Sequence, residues 1–281
     1  MRHEESLFQS GDFRMFVQSW SPAGSPRAVL AIVHGIGEHS DRYASLVNHL
    51  VEQRISVFAF DLRGHGRSPG KRGHIGSWGE YRDDTGAFLD YVGSRVPDCS
   101  LFLYGHSMGA LIALDYVLEH PNSVPGLITS GIPLQPVGAA KPHLIAIARV
   151  LSRIVPSFSI SLGLDPSGIS SDPAVVKAYI DDPLVHTKVS MRWGTEILKT
   201  IDRTRSRLSE VRLPLLVLHG AADPINSPAG SDELYEAAES ADKTVRKYPD
   251  TRHEPHNDRA QAAVARDIAN WIAARSVLPA D

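Results

Sequence analysis

Hydrophobic positions along this chain fall into short continuous runs, separated by longer stretches in which apolar and polar residues mix at helical spacing. The runs "RAVLAIVH", "ISVFAF", "SLFLY", "GLITS" and "LPLLVLH" are strand candidates, as is "TVRKY", and two short strand-like stretches around Leu7 and in "RMFVQSW" precede them. Most are continuous rather than alternating, which predicts parallel strands covered on both faces. Between them lie the helix-like segments "RYASLVNHLVEQ", "YRDDTGAFLDYVGSR", "GALIALDYVLEH", "GSDELYEAAES" and "DRAQAAVARDIANWIAAR". Strand, helix, strand repetition predicts an α/β fold with a mostly parallel central sheet flanked by helices, whose ligands bind beyond the carboxyl ends of the strands.

The repetition breaks between residues 132 and 213. There, helical pieces and prolines continue without a strong strand candidate, over a length far beyond a plain loop. The expected division is a core of residues 1–131 and 214–281 with an inserted helical cap, or lid, of residues 132–213 over the carboxyl edge of the sheet. Within it, "PHLIAIARVLSRIVPSF" is apolar around most of its circumference, interrupted mainly by Arg149, Ser152 and Arg153. Such a helix needs covering, either by the body of the domain or by a lipid-like surface, and both readings stand at this point.

Composition narrows the classes. Of 281 residues, 42% are hydrophobic and 22% charged, which is ordinary for a globular protein and excludes disorder. A formal net charge of −3 with scattered basic residues leaves nucleic-acid binding without support. The one basic cluster, "RGHGRSPGKRGH", is explained as well by a Gly-rich loop as by a phosphate-binding patch. Cys99 is the only cysteine, so an intrachain disulfide and a Cys-based metal site are both excluded. The start, "MRHEESLFQSGDF", is acidic where a signal peptide needs an apolar core, and no apolar run reaches the ~18 residues of a membrane span. A cytoplasmic protein is expected.

The strongest chemical signal is "SLFLYGHSMGALIALDYVLEH", an apolar strand, then Gly105-His106-Ser107-Met108-Gly109, then an apolar helix. This is G-x-S-x-G in the strand–turn–helix context it requires. The sharp turn strains the serine backbone, and the glycines on either side avoid collisions that side chains would cause. Ser107 is thereby presented at a helix N-terminus, where free N–H groups, including that of Met108, can stabilise an oxyanion. A serine hydroxyl needs a base and a group to orient that base, in this architecture in the order Ser, Asp, His. Asp223 follows the run "LPLLVLH" and His253 follows "TVRKY", so all three are expected at the same sheet edge. Asp223 alone reads equally well as a turn residue before Pro224.

A second oxyanion donor is expected from "AIVHGIGEHSDRY", where Gly35 and Gly37 let the backbone approach substrate and the Ile36 N–H points inward. A metal site of His34, Glu38 and His39 competes for these residues but lacks a ligand pattern on a regular element. "HEPH" is not H-E-x-x-H, and Pro255 would spoil the helix that motif needs. The expectation is no metal and no cofactor.

Taken together, "HGIGEHSDRY", "FDLRGHGRSPG", "GHSMG", "DPAVVKAYIDDPLVH", "LHGAADPINS" and "HEPH" resemble, in order and across nearly the whole chain, the monoacylglycerol lipase family of serine α/β-hydrolases and related bacterial lysophospholipases. The resemblance implies an α/β-hydrolase fold, Ser107 as nucleophile with Asp223 and His253 as partners, and Ile36 and Met108 as oxyanion donors. Ile36 stands where mammalian members carry Ala. The family's polar headgroup pocket maps onto Glu38, Arg42, His106, Tyr179 and His256. For Glu38 and Arg42, four apart at the start of the expected helix, a structural ion pair and direct contact both remain open. His106 could equally pack beside the nucleophile turn.

The expected activity is hydrolysis of monoacylglycerol to a fatty acid and glycerol through an acyl-enzyme, with the cap lining an acyl tunnel and making peripheral contact with membranes or micelles. Rival readings are a lysophospholipase or broad carboxylesterase on the same triad, and a non-catalytic ligand receptor on a hydrolase scaffold. A peptidase is disfavoured because no acidic pair for a peptide amino terminus is evident in the cap.

Overall fold

Six apolar runs of the sequence become parallel strands, and their burial follows from their position in the sheet. The computed structural model describes residues 1–138 and 142–276, apart from the side chains of residues 142–145, so the first-turn side chains of the apolar insertion helix and residues 277–281 of the expected core fall outside the description. The elements run β1 (Arg2–Ser10), β2 (Phe13–Ser21), β3 (Ala28–Val33), α1 (Ala44–Glu52), β4 (Ile55–Phe60), α2 (Gly79–Arg95), β5 (Leu101–His106), α3 (Met108–Glu119) and β6 (Leu127–Ser130). Next come α4 (Pro142–Ile154), β7 (Ser159–Ser161), α5 (Pro173–Asp181), β8 (Lys188–Ser190) and α6 (Met191–Arg205). The chain then returns with β9 (Leu215–Gly220), α7 (Pro228–Ala237), β10 (Lys243–Tyr248) and α8 (Gln261–Ala273).

Eight strands form one sheet in the order β1-β2-β4-β3-β5-β6-β9-β10. From β4 through β10 all pairs are parallel, and only β1–β2 and β2–β4 are antiparallel. Every residue of β3, β4, β6 and β9 is buried. Edge strand β10 buries only Tyr248 fully, which is why "TVRKY" carries Lys and Arg. Side chains alternate across the sheet with period two. Val29, Ala31, Val33, Leu103 and Val217 pack on one face with α2 and α3, while Leu30, Ile32, Tyr104, Leu216 and Leu218 pack on the other with α1 and α8.

Residues 132–213 add no strand to this sheet among the described residues. They do contain two strands that the sequence did not predict: β7 and β8, three residues each, pair antiparallel with Ile160 opposite Val189. Pieces so short leave no readable period. Helix α6 is fastened to the core by polar contacts: Glu196 accepts from Trp78 N at 3.0 Å, and Arg203 pairs with the buried Asp115 of α3. Helix α4 lies against α6 in an inverted manner. Its Ser152 is 4% exposed and 2.8 Å from Thr195 Oγ1, whereas Val150 and Ile154 are 57% and 71% exposed. Packing on the body of the domain therefore does not account for Ile147, Val150 and Ile154.

Candidate active site

The turn from β5 into α3 has the geometry its sequence predicts. Ser107 sits at φ 52°, ψ −122°, a left-handed conformation costly for a residue with a Cβ. The flanking glycines are sterically required: a Cβ at Gly105 would lie 2.3 Å from Gly109 O, and one at Gly109 would lie 2.1 Å from Val33 O. The strain is held by the Ser107 N–H, which donates to Ser130 O at 2.8 Å on β6, and by the buried run of α3 behind it.

Asp223 and His253 come together at the carboxyl edge of the sheet, from the loops after β9 and β10. His253 Nδ1 lies 2.7 Å from Asp223 Oδ2. The other oxygen, Oδ1, accepts the N–H groups of Ile225 and Asn226 at 2.8 and 3.0 Å. Burial favours the protonated carboxyl, but the His253 charge and the His219 and His253 hydrogen bonds outweigh it and hold Asp223 well below the usual range. For His253 burial disfavours the cation, yet the charge and hydrogen bond of Asp223, with Glu254 and Glu38 adding, lift it above the ordinary histidine value. Ser107 and His253 line one cavity. Among the described residues the hydrogen-bond chain runs from Asp223 to His253 and ends there; the last link to the Ser107 hydroxyl is one that substrate binding commonly tightens.

Ile36 and Met108 face the same cavity. Among the described residues neither backbone N–H donates to a protein acceptor, so both are free for an oxyanion, whereas Gly35 N is already committed to Glu38 Oε1. The Ile36 loop is held from the 132–213 segment: His186 N donates to Gly37 O at 2.9 Å, and Gly37, at φ 76°, lies so near His186 O that a Cβ would clash at 2.1 Å. The competing metal reading of this loop disperses. His34 binds Gly35 O and Leu62 N, Glu38 turns toward Arg42, and His39 pairs with Asp182 at 2.8 Å.

A buried polar cluster forms part of the wall. Arg42 lies between Glu254 (2.6 Å) and Glu38 (3.4 Å), with its guanidinium 4.7 Å above the Tyr179 ring. Tyr43 Oη donates to Glu38 Oε1 at 2.8 Å, and Asn257 Nδ2 donates to Glu254 Oε2 at 2.9 Å. Burial, with the charge of Glu254, pushes Glu38 up to about 7 against the pull of Arg42. Glu254 goes the other way: burial opposes its ionisation, but the Arg42 charge prevails and holds it down. Arg42 sits in a 3-10 turn, Ser40–Tyr43, with Glu38 in the preceding loop, so the pair joins two local segments rather than two turns of one α-helix.

The cavity holds about 350 Å³. Glu38, His106, Tyr179 and Glu254 contribute polar surface, while Leu162, Leu164, Trp193, Ile197 and Ile201 are among its apolar lining. Of the five headgroup residues implied by the resemblance, Glu38, His106 and Tyr179 line it and Arg42 and His256 do not. Arg42 is drawn behind the wall by its two carboxylates. His256 stacks on Tyr43 with ring centroids 4.6 Å apart and abuts His106 at 4.8 Å. Burial pushes His256 down to about 4 despite Glu254, and puts His106 well below its ordinary value. Glu254 was missed in the sequence, although its place beside the expected base in "HEPH" was a signal.

The family described as "Serine aminopeptidase, S33" matches residues 24–260. A monoacylglycerol lipase of Mycolicibacterium smegmatis is 32% identical over 272 residues, covering 96% of this chain and 97% of the relative. An uncharacterized abhydrolase domain-containing protein of Dictyostelium discoideum is 34% identical, and this chain spans 29% of its length. The crystal structure of the Paleococcus ferrophilus monoacylglycerol lipase superposes with a TM-score of 0.84 at 34% identity, covering 98% of this chain and all of that one. Matched over most of its length by sequence and by fold, the chain belongs to the serine aminopeptidase S33 family and, within it, to the monoacylglycerol lipases of the α/β-hydrolase fold.

Proposed function

We propose that this chain is a serine ester hydrolase that cleaves monoacylglycerol to a free fatty acid and glycerol, with Ser107, His253 and Asp223 as its triad. The observation that carries the reading is a single cavity in which Ser107 and His253 share a wall with an apolar lining and a cluster of buried hydrogen-bonding groups. Ser107 Oγ attacks the ester carbonyl as His253 takes its proton, and Asp223 keeps the ring oriented. The N–H groups of Ile36 and Met108 receive the oxyanion. The glycerol oxygen leaves with the proton from His253, and water activated by the same ring releases the fatty acid.

The polar cluster supports a neutral diol over a phosphate headgroup. Glu38 and Glu254 accept hydroxyl hydrogen bonds, whereas a phosphate would meet two carboxylates that share one arginine. A peptide amine is the second reading, favoured by these same carboxylates and by the family description. Arg42 already bridges the pair, which leaves less charge for an amine. Residues 132–213 act as a cap, and the outer face of α4, with Ile147, Val150 and Ile154 exposed, supports contact with a membrane or micelle surface. Among the described residues no helix is long and apolar enough to cross a membrane; the contact proposed here is a peripheral one, through the α4 face.

The test is a substrate panel with Ser107→Ala as the blank: monoacylglycerol, lysophosphatidylcholine, lysophosphatidic acid, a short nitrophenyl ester and an aminoacyl nitroanilide. Monoacylglycerol is expected to have the highest kcat/KM and lysophosphatidic acid the lowest of the lipids. Faster turnover of either lysophospholipid, or of the anilide, overturns the choice.

A further inference from the structure

His219 is fully buried at the end of β9, four residues before Asp223, and the reaction as proposed leaves it without a role. Its Nε2 lies 3.0 Å from Asp223 Oδ2 and 3.0 Å from the carbonyl oxygen of Asn226. Both partners are acceptors, so Nε2 carries a proton and shares it between them. Its Nδ1 lies 2.6 Å from Oγ of Ser231, itself fully buried in α7; in the neutral ring, Nδ1 accepts that hydroxyl's proton. Asp223 Oδ2 thus receives two histidine N–H groups, and Oδ1 receives two backbone N–H groups. The roughly four lone-pair directions of a carboxylate are all filled.

We infer that His219, held by Ser231, is a positioning residue for proton transfer: it fixes the rotation of the Asp223 carboxylate and shares the charge that Asp223 offers to His253. The inference rests on the triad reading above. Removing the His219 donor has two separable consequences. The carboxylate gains freedom to rotate, which misaligns His253 and lowers kcat. Its unshared charge also holds the His253 proton more tightly.

The second effect has a definite sign. His253 must be neutral to accept the Ser107 proton, so activity rises as pH climbs through its titration, and a more tightly held proton moves that limb to higher pH. The other groups acting on His253 are Glu254 beside it, Glu38 from the loop after β3 and the His106 ring at 4.9 Å, and they are common to every variant.

The experiment is kcat and kcat/KM against pH on a soluble short-chain ester for His219→Phe, His219→Gln, Ser231→Ala and Asp223→Asn, with thermal unfolding of each. His219→Phe is expected to lose about tenfold to a hundredfold in kcat and to move its acid limb up by about half to one pH unit. His219→Gln, whose amide N–H reaches toward Asp223, is expected to restore the limb and most of the rate. Ser231→Ala is expected to shift the limb in the same direction by less, and it decides the matter if His219→Phe does not fold. An acid limb that superposes on the parent in the folded variants, whatever the loss in kcat, overturns the inference, because a merely structural role scales the rate and leaves the limb in place. Asp223→Asn at the parent rate would instead overturn the triad reading on which the inference stands.

Discussion

Around Asp223, each oxygen of the carboxylate is answered from inside the protein, by His219, His253, Ile225 and Asn226. Along the outer face of α4 the opposite holds: Ile147, Val150 and Ile154 stand more than half exposed, while Ser152 is turned inward to Thr195. The first region obeys the rule that buried polar groups are paired. The second breaks the rule that apolar side chains on a helix face the protein. The difference separates two tasks. Geometry for chemistry requires a fully determined polar network, whereas the surface proposed to meet lipid leaves its hydrophobic side chains without partners in the chain.

The largest effect is expected where that network meets substrate. Ser107→Ala should lower kcat by about 10⁴- to 10⁶-fold while leaving the thermal midpoint nearly unchanged, since it keeps the Cβ that strains the turn and removes a hydroxyl that does not cap α3. An active Ser107→Ala enzyme would end the comparison at its first term. Arg42→Met comes next, because it strands Glu38 and Glu254 together. Breaking such a pair costs about 3–5 kcal/mol, and the loss should shrink at lower pH as Glu38, already near 7, takes up a proton. Denaturant titration at two pH values reads both, and a pH-independent loss would show that charge is not what Arg42 contributes.

Smaller, but sharper, is the pH profile of the parent enzyme. With His253 held above the ordinary histidine value by Asp223, activity should rise with pH through a midpoint above ~6.5. Glu38→Gln removes one of the charges that hold the proton, so that midpoint should fall. A rise would mean that Glu38 does not act on His253 through its charge. The smallest effect belongs to the α4 face. Replacing Ile147, Val150 and Ile154 by Ser should reduce turnover of micellar monoacylglycerol by several-fold to about tenfold and leave a soluble short ester unaffected. Equal losses on both substrates would remove the contrast between the two regions.

How far the sequence could be read follows the same division. The β5–Ser107–α3 unit was legible because strand, turn and helix are contiguous, and G-x-S-x-G is a local steric requirement. Asp223 and His253 were legible because each follows a strand of the same parallel sheet, so topology alone carries them to one edge. His256 was misplaced because its three-residue spacing from His253 does not say which way a Pro-containing turn points; in the fold it turns back onto Tyr43. Glu254 was missed because its meaning depends on Arg42, 212 residues away.

By itself, then, the sequence determined the parallel α/β architecture, the strained serine and the placement of Ser107, Asp223 and His253 at one edge of the sheet, since burial period and local sterics act within a few residues. Tertiary structure decided the rest: which carboxylates share Arg42, which histidine supports Asp223 from behind, and which face of α4 is left uncovered. Those outcomes depend on charge and contact between segments far apart in the chain, and no local pattern of residues carries that information.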